Sequence, residues 1–230
     1  MDLQQLLPKD LTKKYVFYDH NHAGLVFMTY HIEEYNELCS TLRDYEVTID
    51  DLTTLGGSES SLPKKFSNLM MSNNGWADEV TLKSIINVQV TKRKENVTHI
   101  IDEFEKEHGT HKLDFFKNRI GIDYEWNSKD QTFDRDLYAF RTFHELGIID
   151  LGIIVTRDYK MQDFLVNSSL TYKSADGSSK LLKHKYGAST TWMGKLLPRL
   201  EAGRSGGCPI LVVGMTPHII MDLKKDEEEK

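Results

Sequence analysis

Three acidic residues near the middle of the chain have types and spacing that suit metal-dependent chemistry. Asp114, Asp123 and Glu125 lie within the stretch HKLDFFKNRIGIDYEWNSKD, residues 111–130. Gathered carboxylates repel one another unless a cation lies between them, and hard oxygen ligands favour Mg2+ or Mn2+. Such an ion activates water and neutralises charge on a phosphate, which hydrolysis of a phosphodiester requires. These residues therefore indicate a metal-dependent nuclease site, and a hairpin with solvated acidic residues is the alternative interpretation.

Two short strands would position the three carboxylates. Residues 114–116 and 119–126 have strand-like patterns and are separated by a Lys-Asn turn. Side chains alternate along a strand, so Asp123 and Glu125 would lie on one face and the intervening apolar side chains on the other. Asp114 lies nine positions before Asp123, on the preceding strand. A tight hairpin would therefore bring the three carboxylates together at one end of a sheet.

The same stretch resembles the active-site strand pair of the BglII family of type II restriction endonucleases. That family has the PD-(D/E)XK nuclease fold and is BamHI-like. In its motif, an Asp is followed nine residues on by an acidic residue and then, after one further residue, by Glu or Gln. Other segments resemble the family in the same order: YDHNHA (18–23), the Gly75-Trp76 pair, GIIVT (152–156) with NSSL after it, and ILVVGMTP (210–217). The resemblance covers the chain except roughly its first dozen residues and its acidic tail.

The resemblance implies that Asp114, Asp123 and Glu125 are the catalytic, metal-binding acids. It implies Mg2+ as the cofactor, with Mn2+ able to substitute. The middle position is usually Glu in this family, so Asp123 holds its carboxylate about one methylene further back, which puts metal affinity and rate in doubt. The third position is Glu, as in BamHI, whereas many related enzymes have Lys or Gln there. Glu125 is therefore expected to act mainly as a metal ligand.

The function implied by the resemblance is Mg2+-dependent, sequence-specific hydrolysis of both strands of palindromic duplex DNA, leaving 5′ phosphates. A two-fold protein matches a palindromic site, which implies a homodimer. The family often recognises sites with a GATC centre, and this too is implied by resemblance alone. Three alternatives stay open: a catalytically weakened sequence-specific DNA-binding protein, a structure-specific repair nuclease of the same fold, and a metal-binding or scaffold protein without DNA affinity.

Polar and basic residues in two segments are candidates for reading base edges in the major groove. They are Asn127, Ser128 and Lys129, directly after the catalytic strand, and Lys183, Lys185, Ser189, Thr190 and Thr191. Residues 172–204 hold seven basic residues against two acidic ones, a local balance of +5 in a chain of net charge −6. Phosphate contact requires such a local basic surface, and Lys117 or Lys129 is a further candidate for it. Capping or solvation is the alternative role for each of these residues.

Length and composition predict one soluble domain over residues 1–230, and the resemblance implies that it is a nuclease domain. The chain is 39% hydrophobic and 28% charged, as is typical of globular proteins. It has no apolar run of the roughly 18 residues that span a bilayer, and it does not begin like a secretory signal. Cys39 and Cys208 are far apart and in no metal spacing, which favours a reducing, cytoplasmic location without disulfides. The acidic tail, residues 224–230, is predicted to be disordered.

Hydrophobic periodicity predicts an α/β fold, and the resemblance implies that it is a restriction-endonuclease-like central mixed sheet flanked by helices. Strands are predicted at 15–18, 80–91, 148–156 and 210–216, and helices at 25–45, 100–108 and from about 132 to Gly147. Asp130 or Thr132 is expected to cap the last of these helices. Ser189 or Thr190 is expected to cap a further helix, which Pro198 should kink or divide.

Overall fold

A six-stranded mixed sheet forms the centre of the computed structural model, which describes residues 3, 6–55 and 61–223, without the side chains at 84 and 108–110. Its strands are β1 (Tyr15–His20), β2 (Ala77–Lys94), β3 (Val97–Lys117), β4 (Ile120–Glu125), β5 (Leu151–Arg157) and a last strand, Ile210–Met215, which is β8. A separate hairpin consists of β6 (Thr171–Lys173) and β7 (Ser179–Leu181). The order in the large sheet is β1-β8-β5-β4-β3-β2. Strands β4, β5 and β8 are parallel to one another, and the outer pairings are antiparallel.

Helices cover both faces of this sheet, so the predicted fold class is confirmed. They are α1 (Lys9–Lys14), α2 (Ala23–Tyr30), α3 (Ile32–Asp44), α4 (Ile49–Thr53), α5 (Ser61–Met71), α6 (Thr132–Glu145), α7 (Tyr159–Asn167) and α8 (Met193–Glu201), with short 3-10 turns at Leu182–His184 and Pro217–Ile219. Apolar side chains of α6 and α8 pack in one core cluster, and those of the other helices pack in a second cluster across the sheet. No helix in the described part of the chain is long and apolar enough to cross a membrane.

The three parallel strands at the centre are buried along their whole length. Strands covered on both faces are expected to be continuously apolar, and β5 and β8 fit that expectation. Strand β4 departs from it because it includes Asp123 and Glu125. A buried carboxylate is costly unless it is compensated, so these two residues mark the part of the core that stability alone does not explain.

Close packing of α6 against β4 depends on Gly121. A Cβ at this position would lie 2.8 Å from Leu113 Cδ1 and 3.0 Å from Phe140 Cε1. Because glycine has no side chain, Phe140 of α6 can approach the backbone of β4 directly. This approach fixes the distance between α6 and the acidic residues of the strand.

The predicted hairpin between β3 and β4 is confirmed, with its turn one residue later than expected. Phe115 pairs with Ile122 and Lys117 pairs with Ile120, so the turn residues are Asn118 and Arg119. Both have positive φ, 43° and 70°, as a two-residue type I′ turn requires.

The predicted helix at 100–108 is wrong, because these residues belong to β3. Strands β2 and β3 pair with each other from Ala77 and Phe116 to Lys94 and Val97, with irregularities at two points. Only Phe115–Lys117 of β3 also pairs with β4, so most of this hairpin extends past the other strands. Residues 100–108 pair with residues 9 to 24 positions earlier in the chain, and the spacing of apolar residues within 100–108 does not reveal that pairing.

Several other boundaries differ from the prediction. The helix predicted at 25–45 is two helices that meet at His31, whose φ and ψ of −129° and 47° are not helical. The strand predicted from 148 begins at Leu151. Helix α7 was not predicted; it begins after Asp158, whose side chain caps it by accepting a hydrogen bond from the backbone of Met161.

The predicted helix caps are also wrong. Helix α6 follows Gln131 without a side-chain cap, and the Thr132 hydroxyl instead donates to the carbonyl of Lys129. Helix α8 follows Trp192, so neither Ser189 nor Thr190 caps it, and Pro198 lies inside the helix without dividing it. The predicted disordered tail lies outside the described residues.

Candidate active site

Asp114 and Asp123 meet where the β3–β4 ladder ends. The backbone N–H of Asp114 donates to Asp123 Oδ1 at 3.0 Å, and the N–H of Tyr124 donates to Asp114 Oδ2 at 2.8 Å. Each carboxylate thus accepts a hydrogen bond from a backbone N–H that would otherwise pair with the neighbouring strand. The sequence predicted that these two acids would come together, and the structure brings them into direct contact.

Two further carboxylates are next to this pair. Glu125 lies two residues after Asp123 on β4, and Asp136 comes from α6. Asp123, Glu125 and Asp136 are only 4%, 6% and 2% exposed, whereas Asp114 is exposed. Arg135 places Nη2 2.9 Å from Asp136 Oδ1 and 4.0 Å from Glu125 Oε1. The site therefore has one solvent-facing acid, three buried ones and a cation at its rim.

Sequence analysis did not identify Asp136 or Arg135. The available signal was the position of Asp136 within the apolar stripe of α6, three residues after Phe133 and four before Phe140, both of which are fully buried. Residues at this spacing lie on one face of a helix. An Asp on the buried face of a helix that follows an acidic strand is a candidate for the same site.

We call Asp114, Asp123, Glu125 and Asp136 the acidic group. Burial and mutual repulsion raise the pKa of all four carboxyls. Burial raises the pKa of Asp123 well above its usual value, and the charges of Asp136 and Asp114 raise it further. Burial and then Asp136 raise the pKa of Glu125 to about 8. Burial also raises the pKa of Asp136 to about 6, although Arg135 beside it acts in the opposite direction. Desolvation raises the pKa of Asp114 as well.

The oxygen donors of the acidic group are of the kind that bind a divalent cation. Asp123 Oδ2, Glu125 Oε2 and Asp136 Oδ2 are buried and have no hydrogen-bond partner among the residues that the structure describes. Hard oxygen donors of this kind are the ligands that Mg2+ and Mn2+ prefer, and a cation would compensate their burial. Within the described ranges, however, no three acidic, histidine or cysteine side chains are gathered closely enough to form a ready metal site. The predicted set of three ligands is thus only partly assembled.

The two segments predicted to contact DNA lie side by side. Lys129 and Thr190 form an isolated antiparallel bridge. The N–H of Asp130 donates to the carbonyl of Ser189, and the N–H of Thr191 donates to the carbonyl of Ser128, both at 2.9 Å. Residues 127–130 and 187–191, which we call the paired segments, thus form one surface directly after β4.

Side chains in the paired segments differ in their freedom to reach a ligand. Lys129 and Ser189 are exposed, and Asn127 and Ser128 are half-buried. Asn127 Nδ2 donates to the carbonyl of Lys185, and its Oδ1 is buried without a hydrogen-bond partner. The side chain of Thr191 is fully buried, so it is not placed for base contact.

Arg157, which the sequence analysis did not consider, binds the second of the paired segments, residues 187–191. This fully buried residue ends β5, and its Nη2 donates to Thr190 Oγ1 at 2.6 Å and to the carbonyl of Thr191 at 2.7 Å. Its guanidinium lies over the rings of Trp126 and Tyr186, and burial lowers its pKa to about 9. The Thr190 hydroxyl therefore already has a hydrogen-bond partner inside the protein, where it helps Arg157 to hold the backbone of this segment.

Lys185 and Lys183, both predicted to bind DNA, have different surroundings. The ammonium of Lys185 donates to the carbonyls of Leu52 and Thr54 and lies over the rings of Tyr172 and Tyr186. Burial lowers the pKa of Lys185 to about 8. Lys183 is exposed. Of the two, Lys183 is the one whose charge faces solvent.

A cavity of about 620 Å³ adjoins the paired segments. Tyr124 and Trp126 line it from β4, and Asn127 and Ser128 line it where the strand ends. Because Tyr124 and Trp126 alternate with Asp123 and Glu125, this cavity lies on the other side of the strand from the acidic group. The end of β4 thus separates the acidic group from a pocket with aromatic walls.

The ammonium of Lys117, one of two candidates for phosphate contact, is paired with other residues of the protein. Its ammonium is 2.8 Å from both carboxylate oxygens of Glu37 and donates to the carbonyl of Asn74 at 2.7 Å. It also lies over the ring of Trp76, whose indole N–H donates to the same Glu37. Lys117 therefore anchors the turn end of the β3–β4 hairpin, and its contact with phosphate stays a prediction. Lys129 remains exposed.

Ion pairs reduce the basic character of residues 172–204. Arg199 and Arg204 both pair with Asp134, the former at 3.0 Å. Lys195 and Arg199 also lie 3.9 and 3.8 Å from Asp130. The local balance of +5 in the sequence is thus partly neutralised by α6 and the turn before it.

The chain is similar to one family of known proteins over most of its length. The family model described as restriction endonuclease BglII/BglIII matches residues 15–215, which includes the whole six-stranded sheet, the acidic group and the paired segments. A search of curated proteins gave no match to the chain.

Proposed function

The chain belongs to the restriction endonuclease BglII/BglIII family, and on this premise we propose that it is a type II restriction endonuclease acting on palindromic duplex DNA. The observation that carries the proposal is the contact between Asp114 and Asp123 at the end of the β3–β4 ladder, beside buried carboxylate oxygens without partners. An acidic group of this kind, open to solvent at Asp114, suits hydrolysis of a phosphodiester at its edge.

We propose Mg2+ as the cofactor, with Mn2+ able to substitute, since the family generally uses divalent metal ions. Asp114, Asp123 and Glu125 would hold the ion, and the orphaned oxygens of the two buried residues support this choice. When bound, a divalent ion lowers the pKa of a water molecule and stabilises negative charge on the phosphate and the leaving group.

The protein's own residues have distinct tasks in this proposal. Asp114, at the exposed edge, faces the scissile phosphate. The backbone N–H of Asp114 orients Asp123 from the neighbouring strand. Arg135, whose side chain is 68% exposed, contacts Asp136 and approaches Glu125. It therefore presents a positive charge at the site's rim, where it attracts the phosphate backbone.

We further propose that the paired segments read the DNA sequence. Lys129 and Ser189 are the exposed candidates, with Asn127 and Ser128 beside them and Lys183 further along. The family resemblance suggests a site with a GATC centre and products with 5′ phosphates. Cleavage of both strands of a palindromic site calls for two copies of the chain in a homodimer. We expect such an enzyme to act in the cytoplasm, where it meets DNA.

Digestion of long, mixed-sequence DNA tests this function. We expect discrete bands from the parent protein with Mg2+, no cleavage with a chelator, and no cleavage by Asp114→Asn. Asp44→Asn is the matched control, because Asp44 is an exposed carboxylate at the end of α3. Sequencing the fragment ends gives the site, the stagger and the terminal phosphate. A smear of random products would contradict sequence specificity.

A catalytically weakened DNA-binding protein is the second candidate, and Asp123 in place of the family's usual Glu favours it. Intact DNA with Mg2+, together with specific, salt-dependent binding of one duplex, would select this function over the nuclease. Restored cleavage by Asp123→Glu would then identify the shorter side chain as the cause.

A further inference from the structure

The cavity on the other side of β4 from the acidic group has no part in the proposed cleavage. It encloses about 620 Å³, a size typical of sites that bind small organic molecules. Separate elements supply its lining, among them β4, α4 and the β6–β7 hairpin. Leu55 and Ala175 line it and are exposed, so the cavity opens to solvent. A ligand therefore has access to it.

Aromatic rings form a fixed wall of this cavity. Tyr124, Trp126, Tyr172 and Tyr186 all line it. Three of them are buried and held by other rings, since Tyr124 stacks on Phe66 and Trp126 meets Tyr186 edge to face. Tyr172 is only half-buried, so its ring keeps surface that a ligand can cover. A wall of this kind suits a flat aromatic ligand, which gains free energy by stacking.

The ammonium of Lys185 gives the cavity a positive charge. It donates to the backbone carbonyls of Leu52 and Thr54, which leaves the third of its N–H groups for a ligand. Asp51, the one acidic residue in the described part of the lining, pairs with Lys65 at 2.5 Å. The pKa of Lys185, lowered by burial to about 8, still leaves it charged at pH 7. An anionic group such as phosphate therefore fits the Lys185 end of the cavity.

Asn127 adds a polar group and joins the cavity to the paired segments. Its Nδ2 donates to the carbonyl of Lys185, and its Oδ1 is buried with no partner among the residues that the structure describes. A buried acceptor without a donor is costly, and nucleobases have N–H donors on their edges. Asn127 and Ser128 line the cavity and also belong to the paired segments, which the proposed function assigns to DNA. The cavity thus adjoins the proposed DNA surface.

We propose that this cavity binds one nucleotide, with its base against Tyr172, an edge of the base towards Asn127 and its phosphate at Lys185. Proteins commonly hold single nucleotides by such a combination of stacking, hydrogen bonding and charge. Two sources share this chemistry: a free nucleotide, and a nucleotide of DNA turned out of the duplex at the paired segments. The second source rests on the proposed function, whereas the first does not.

Calorimetric titration of the metal-free full chain at neutral pH tests the pocket with deoxynucleoside 5′-monophosphates and with the matching nucleosides. We expect the parent to bind at least one monophosphate at millimolar concentration or below, about tenfold more tightly than its nucleoside. Tyr172→Ala should weaken both ligands by at least about fivefold, because each loses the ring on which it stacks. Lys185→Met should abolish the difference between monophosphate and nucleoside and leave the affinity for the nucleoside unchanged.

Tyr30→Ala and Lys183→Met are the matched controls. Tyr30 is an exposed tyrosine at the end of α2, and Lys183 is an exposed lysine in the 3-10 turn. Both controls should bind as the parent does, and thermal unfolding should show that Tyr172→Ala still folds, because its ring is only half-buried. A parent that binds no monophosphate at millimolar concentration would overturn the pocket. Equal affinities in the parent, Tyr172→Ala and Lys185→Met would overturn it too.

Duplexes with one mismatch at successive positions of the recognition site distinguish the two sources. Asp114→Asn is used so that the DNA stays intact. For a nucleotide of DNA, we expect the mismatch at one position to tighten binding about tenfold, because an unpaired nucleotide is turned out at lower cost, and Tyr172→Ala to reduce this gain. No such position would overturn DNA as the source and leave the free nucleotide. DNA that the parent never cuts would overturn only the nuclease, since the titrations use neither metal nor DNA.

Discussion

Asp123 is the residue whose environment differs most from that of an ordinary carboxylate. One of its oxygens accepts a hydrogen bond from the N–H of Asp114 on the neighbouring strand, and the other is buried with no partner in the described part of the chain. The short side chain suits the first contact, because both residues lie next to the last pair of the ladder, Phe115 with Ile122. The second oxygen remains available to a cation. Both features follow from placing an acid in the middle of a fully buried strand.

Asp123→Asn should remove metal binding while preserving the contact with Asp114. An amide oxygen still accepts the backbone N–H, but it lacks the charge that holds a cation. At a metal concentration about a hundredfold above its dissociation constant, we expect Mg2+ or Mn2+ to raise the parent's melting temperature by about 5 °C. We expect no such rise in Asp123→Asn and an unchanged rise in Asp44→Asn. An equal rise in Asp123→Asn would exclude this carboxylate as a ligand.

Lys185 should make stability depend on pH. Burial lowers its pKa to about 8 from the ordinary value of 10.5. Between these values the unfolded chain holds a proton that the folded chain has released, so the free energy of unfolding rises with pH. Because the ammonium is only partly buried, we discount the gain to about 1–2 kcal/mol between pH 8 and 10.5.

Chemical denaturation across this pH range measures the contribution of Lys185. We expect the difference in unfolding free energy between the parent and Lys185→Met to change by that amount, in favour of the parent as pH rises. Lys183→Met is the control, since it removes a nearby exposed lysine from the same 3-10 turn. Parallel pH profiles for the parent and both variants would contradict this role for Lys185.

At the scale of elements, local sequence signals and non-local contacts account for different parts of the structure. The β3–β4 hairpin and the buried strands β5 and β8 have strong local patterns, and each was predicted. The stretch 100–108 has apolar residues at positions 100, 101 and 104, a spacing that resembles a helix face. Pairing with β2 decides its conformation, and the paired residues lie 9 to 24 positions earlier, outside the few residues over which a helical spacing is read.

The residues of the candidate site divide in the same way, into those that local sequence predicts and those that only contacts between elements bring in. Asp114, Asp123 and Glu125 were identifiable because the hairpin that joins them is local. Asp136 becomes a member of the site only when α6 docks on β4, and this docking depends on contacts between separate elements. Likewise, the ion pairs that neutralise Arg199 and Arg204 come from α6, so composition alone overstated the basic surface.

Gly121→Ala should disturb the docking of α6 on β4. The added methyl group would lie within 3.0 Å of Leu113 and Phe140, and overpacking of this kind costs about 1–3 kcal/mol. Because α6 supplies Arg135 and Asp136, we expect DNA cleavage to fall together with the unfolding free energy. Urea denaturation and the digestion assay measure both effects.

The double variant Gly121→Ala, Leu113→Val provides the control for this prediction. Valine lacks the Cδ1 atom that the new methyl group would meet, so the double variant should recover part of the stability and the cleavage. Full stability of Gly121→Ala with lost cleavage would instead mean that Gly121 acts on the site without moving α6.

For the whole molecule, the acidic group of each chain makes a prediction about how DNA is cut. Each chain contains one acidic group, so cutting both strands of a site in one encounter needs two copies at that site. Separating the two copies by dilution should therefore separate the two cuts in time without altering either active site.

A supercoiled plasmid with a single recognition site distinguishes the two kinds of cutting. We expect the parent at high concentration to convert it to linear DNA with little open circle. We expect dilution of the parent below the dissociation constant of its dimer to accumulate open circle first, because a monomer cuts one strand before a second molecule arrives. Raising the concentration again should restore direct linearisation by mass action. Direct linearisation at concentrations where the protein is monomeric would mean that a single copy completes both cuts.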